Sequence, residues 1–198
     1  MEWTSRLING FLINGVEYDL GHLKAFEHSF WVGENETQEV KCSIRFDSHC
    51  CSKGLPRGDD HSTIPENELV IDSKGNPRRF CIQRYEASKA LQDHLSRMDE
   101  QFFFEGAKGS ENIFFVDLTV NEFTDTYIVI INISRSKKAG IHLDIYVESA
   151  FLQYKEGDPE YDPNKIMRAL HEMVARIKMV KNRLIFVEKL ANSQLLAA

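Results

Sequence analysis

An imidazole, two thiols and an ammonium group fall within five positions, His49-Cys50-Cys51-Ser52-Lys53, directly after an alternating run that ends near Asp47. A histidine at a strand end can act as general acid or base near neutral pH. Lys53 can hold an anion, and a cysteine can attack an electrophile if its thiolate is stabilised. The structural alternative is a half-buried histidine bonded to loop backbone beside buried thiols. Of these groups His49 carries the most chemistry, and its loss should abolish activity without unfolding the chain. His49, Cys50, Cys51, His61 and Cys81 include zinc-ligand types, yet no C-x-x-C pair occurs, and Cys42 and Cys81 sit in apolar strand contexts. We therefore expect no metal and no cofactor. Cys42, Cys50, Cys51 and Cys81 follow no extracellular disulfide framework and read as reduced thiols.

A second constellation, His142, Asp144, Tyr146 and Glu148, occupies one face of a strand at two-residue steps. It suits acid–base work or a divalent cation, but a solvated polar face is the ordinary explanation for an antiparallel strand. Basic residues form two groups, one around Arg135, Lys137 and Lys138, the other along the C-terminal segment. From Asp162 to the end, seven Lys or Arg stand against three Asp or Glu, which leaves −10 of the net −6 on residues 1–161. Such an acidic body disfavours nonspecific phosphate binding, so any nucleic-acid role needs a local patch. Signatures of the phosphate-binding loop, the dinucleotide fold, the zincins and the serine hydrolases are absent.

The elements that must position these groups read as follows. Phe11-Leu12-Ile13, Asn14-Gly15 and Val16-Glu17-Tyr18 predict a type I′ hairpin. Val40, Cys42, Ile44 and Phe46 alternate with polar residues and predict a strand over 39–47, followed by a long surface loop to about Pro65. A hairpin is expected from 69–71 and 79–82, and a helix over 84–98 with Ala87, Leu91, Leu95 and Met98 on its apolar stripe. Runs at 113–120, 127–134 and 141–151 predict an antiparallel meander, with Ile141, Leu143, Ile145, Val147 and Phe151 facing the core. Asp162-Pro163 starts a further amphipathic helix, apolar at Ile166, Leu170, Met173, Ile177, Val180 and Leu184.

The expected fold class is therefore α+β: a twisted antiparallel meander packed against a central helix, with a C-terminal amphipathic helix. Residues 1–160 form the core domain, and 161–198 pack on that core or on a partner. With 42% hydrophobic residues and thirteen Phe in 198, the chain can build one such core. No apolar run reaches the roughly 20 residues of a membrane span, and MEWTSRLING lacks a secretory layout, so a cytoplasmic address is expected.

Gly15 to Tyr18 with Leu20 and His22, Arg45 to Cys50, Arg79-Phe80 with Arg84-Tyr85 and Ser88, and Tyr146 to Phe151 together resemble a family of small, uncharacterised bacterial proteins associated with mobile elements. That resemblance covers about the first three quarters and transfers no catalytic residue. The order of a helix then a three-stranded meander also resembles the RelE and barnase type of RNase toxin. It implies metal-independent RNA cleavage with His49 as acid or base, Arg84 and Arg135 as phosphate contacts, and Tyr85 as a stacking residue, beside the anion-holding Lys53 of the His49 stretch. The expected function is thus a toxin-type endoribonuclease acting on RNA. The competing expectation is a non-enzymatic inhibitor or assembly module that binds a protein partner, or a second copy, through an acidic surface and the C-terminal helix.

Overall fold

The computed structural model describes residues 1–32, 38–56, 58–98, 102–105, 112–120, 123–152 and 179–181. The chain opens on a helix, α1 (Trp3–Asn9), where the sequence suggested only β structure. A helix of two turns is unstable alone, and this one is fixed by distant carbonyls rather than by its own periodicity. Trp3 Nε1 donates to Phe46 O at 2.9 Å, while buried Arg6 donates to the carbonyls of Gly10, Glu66 and Leu69. The helix ends at Gly10, where φ is 64° and a Cβ would lie 2.4 Å from the Tyr18 carbonyl oxygen, so no other residue fits. The predicted hairpin follows as β1 (Phe11–Ile13) and β2 (Val16–Tyr18). Its turn has φ of 51° at Asn14 and 80° at Gly15, as type I′ requires.

Strands β3 (Phe26–Val32) and β4 (Gln38–Phe46) pair antiparallel, and β4 buries Val40, Cys42, Ile44 and Phe46 as its alternation predicted. Three short strands, β5 (Ser52–Lys53), β6 (Leu69–Ile71) and β7 (Pro77–Phe80), make a separate sheet in the order β5-β7-β6. The helix expected over 84–98 is bent into α2 (Ile82–Ser88) and α3 (Leu91–Ser96). Its stripe is buried as the spacing required, with Leu91, Leu95 and Met98 all at 0% exposure. Then come β8 (Phe102–Glu105), β9 (Asn112–Val120), β10 (Phe123–Arg135), β11 (Leu143–Leu152) and β12 (Met179–Lys181). The larger sheet runs β12-β8-β9-β10-β11-β4-β3. The architecture is α+β, with one core shared by the sheet, the bent helix and α1.

Three expectations need correction. The sheet is mixed, because β11 pairs with β4 in parallel, from Leu143 opposite Cys42 to Val147 opposite Phe46. Local patterning cannot reveal a partner about a hundred residues away. Met179–Lys181, inside the stretch predicted as helix, is a strand antiparallel to β8, since a short apolar run reads alike in either state. The rest of that stretch, and with it the predicted helix and the unit 161–198, lies outside the described residues. Finally, Phe151 does not share the face of Leu143, Ile145 and Val147. A register shift sets Ile130 opposite Ser149 and Ile131 opposite Val147, so Glu148 is an extra residue in a bulge and the next fully buried position is Ala150. Among the described residues, no helix is long and apolar enough to cross a membrane.

Candidate active site

The site begins where β4 ends. Asp47 is tied to β11 by its backbone N–H, which donates to Val147 O at 2.9 Å, and its Oδ1 accepts from the His49 N–H to cap a single 3-10 turn over Ser48–Cys50. That turn directs the His49 ring at the loop following β6. There Asp72 folds the chain back by accepting from the backbone N–H of Lys74 and of Asn76 at 2.9 and 2.8 Å. His49 Nε2 lies 3.1 Å from Asp72 Oδ2 and 3.6 Å from Asp47 Oδ1. Both neighbours are carboxylates that only accept, so Nε2 carries a proton and Nδ1 is the nitrogen left to exchange one. On the other side, Asp47 Oδ2 accepts from Ser73 Oγ at 2.6 Å and from the Tyr146 hydroxyl of β11. Three segments remote in sequence thus meet in one hydrogen-bonded network.

The carboxylates are buried and ionised. Desolvation alone would raise Asp47, but hydrogen bonds from Ser73 and Tyr146, with His49 nearby, hold it below its ordinary value. Asp72 is likewise opposed by burial and is brought down to about 2 by His49 and by the Asn76 and Lys74 donors. Tyr146 is pushed up to about 12, first by burial and then by donating to Asp47, so it stays a phenol. The Asp72 shift makes a pH prediction. A carboxyl lowered from 3.8 to about 2 adds about 2 kcal/mol of stability above pH 4, and that contribution is lost as pH falls through 2. Acid denaturation followed by circular dichroism should begin at higher pH in Asp72→Asn than in the wild type. Coincident acid limbs would refute the role given to Asp72.

A pocket of about 260 Å³ opens beside this network, lined by Asp47, His49, Lys74, Tyr146, Glu148 and Ser149. Glu148 reaches it from the β11 bulge. Alternation already sets Glu148 on the face of Tyr146, and the extra residue of the bulge brings Ser149 into the lining beside it.

Of the five residues given roles in RNA cleavage, His49, Lys53, Arg84, Tyr85 and Arg135, His49 alone lines this pocket. Arg84 touches the site from within, its Nη1 donating to the His49 carbonyl at 2.9 Å and its guanidinium carbon lying 5.1 Å from the Phe151 ring centroid. Its Nε is buried and unpartnered among the described residues, so Arg84 braces the His49 backbone and does not face the cleft. Tyr85 is 7% exposed and packs in an aromatic cluster with Tyr18, His22 and Phe80, which leaves no ring face for a base. Lys53 lines a different cavity, of about 450 Å³, with Arg79, Phe80 and Ile82. Arg135 pairs with Leu143, four positions along β11 from Val147 and so roughly 13 Å away. Cys50 and Cys51 are fully buried, and desolvation pushes both thiols up, so neither is a thiolate nucleophile. In the second constellation, His142 Nδ1 accepts from the Lys41 N–H, while Tyr146 and Glu148 belong to the pocket. Among the described residues, no three His, Cys, Asp or Glu side chains are grouped to hold a metal ion.

Sequence reasoning missed Asp47, Asp72 and Ser73 as site residues. One signal was present: Asp72-Ser73-Lys74-Gly75-Asn76 is a turn whose aspartate must point inward to meet its own backbone. Compared with known proteins, residues 10–177 match the model of the YjaZ family. No curated protein and no solved structure matches the chain.

Proposed function

The chain belongs to the YjaZ family, a membership that fixes no reaction, and we propose from its site that it is a metal-independent endoribonuclease of toxin type, acting in a mobile-element or defence setting. The observation that carries this reading is a histidine anchored at Nε2 by buried Asp72 and sharing a small pocket with Glu148 and Lys74. RNA cleavage without metal needs a base, an acid and a cation, and these three side chains supply them. The Glu148 carboxylate takes the proton of the ribose 2′-hydroxyl. The 2′-oxygen attacks phosphorus, the bond to the 5′-oxygen breaks, and protonated His49 delivers its Nδ1 proton to that leaving oxygen. The products are a 2′,3′-cyclic phosphate and a 5′-hydroxyl.

Lys74 neutralises the phosphate, a task the sequence had assigned to Lys53, Arg84 and Arg135. The negative charges of Asp47 and Asp72 are turned inward, at 4% and 3% exposure, onto internal donors. Single-stranded RNA incubated with the protein in EDTA should yield cyclic-phosphate ends, and Glu148→Gln should slow this by about 100-fold. Intact RNA, or cleavage that requires an added divalent metal, would refute the assignment.

One observation favours a second reading, that of a protein-binding inhibitor or assembly module. Ile8, Leu12, Val16 and Ile82 expose 78%, 57%, 51% and 48% of their surface on α1, the β1–β2 hairpin and α2. Under that reading RNA stays whole, and the chain comigrates with a protein partner or with a second copy of itself.

A further inference from the structure

The reaction pocket is too small to enclose a nucleotide. Its volume of about 260 Å³ is below the roughly 300–1,000 Å³ of cavities that surround a drug-sized ligand, so it takes sugar and phosphate and leaves the base outside. One lining residue, Tyr146, carries a planar cation on its ring. Arg45 is opposite Tyr146 in the parallel β4–β11 ladder, and its guanidinium carbon lies 4.9 Å from the Tyr146 ring centroid. Tyr146 cannot swing away, because its hydroxyl donates to Asp47 and meets Ser73 Oγ at 3.1 Å. Arg45 is itself exposed on the solvent side of β4. Its guanidinium carbon sits over the ring, and the exposure of the residue leaves the group within reach of a flat, electron-rich partner.

We infer that Arg45, layered on Tyr146, is the platform on which the nucleobase beside the scissile phosphate stacks. Stacking on a guanidinium plane needs an unstacked base and tolerates any of the four, so the substrate class is single-stranded RNA with weak sequence preference. The inference rests on the endoribonuclease reading above, and its test separates the two. Cleavage rates are compared for an intact single-stranded oligonucleotide, the same oligonucleotide lacking the base beside the cleavage site, and a duplex. The wild type should lose about 5- to 150-fold in kcat/KM on the abasic strand, the range set by loss of one stacked base. Arg45→Ala and Arg45→Lys should lose a similar factor on the intact strand and nothing further on the abasic one. Lysine keeps the charge and removes the plane, so it distinguishes stacking from phosphate attraction. Equal wild-type rates on intact and abasic strands, or full activity of Arg45→Lys, would overturn the platform while leaving the nuclease in place. Absence of wild-type cleavage on every strand would overturn both.

Discussion

His49→Ala is expected to lower RNA cleavage by about 100- to 10,000-fold, the range of a positioned general acid or base, while the chain stays folded and loses only the share of stability that the ring's hydrogen bond to Asp72 supplies. The stability half follows from what the ring touches. Its side chain is 26% exposed, and the contacts that fix the turn are made by backbone, His49 N–H to Asp47 and His49 O to Arg84, which alanine keeps. The rate half follows from the loss of the one imidazole that lines the pocket among the described residues. His49→Gln sharpens the test, since an amide restores a hydrogen bond to Asp72 without an imidazole to deliver a proton. Both variants should be inactive and folded by circular dichroism. A fully active His49→Ala would remove this residue, and with it the proposed reaction.

Asp47→Ala should instead unfold the protein more easily, by about 3 kcal/mol, because four donors lose their acceptor at once. These are the Ser48 hydroxyl, the His49 amide, the Ser73 hydroxyl and the Tyr146 hydroxyl. For a chain of this length the loss corresponds to a fall in Tm of about 6–12 °C. Asp47→Asn keeps an acceptor for the turn and turns an amide donor toward Ser73 and Tyr146, so its loss should be smaller. Thermal melts of the two variants side by side decide the matter. Equal stability of Asp47→Ala and the wild type would show that the network is incidental to the fold.

How much was readable beforehand depended on whether local pattern or distant contact decides a residue's place. β4, the β1–β2 turn and the stripe of Leu91, Leu95 and Met98 were legible, because period and turn chemistry act within a few residues. α1 was not, since Arg6 and Trp3 hold it through carbonyls more than forty residues away. The same divide runs through the site. His49 announced itself by type and by position at a strand end, whereas Asp72 gained its role through a meeting that no spacing encodes. Glu148 was seen as one more polar residue on a solvated face, and what makes a pocket of that face is the approach of Asp47, His49 and Lys74 from segments that no local spacing brings to β11. Arg84, expected as a phosphate contact, is instead a brace for the His49 carbonyl.

The parallel contact between β4 and β11 joins residues synthesised far apart in time. Position 47 leaves the ribosome about a hundred residues before its partners at 146 and 147, and no chain that stops short of them contains the pocket. A growing polypeptide therefore assembles the pocket only once β11 has emerged and paired with β4. Any truncation that ends before residue 146 yields a chain lacking Tyr146 and Glu148, however well its first half folds.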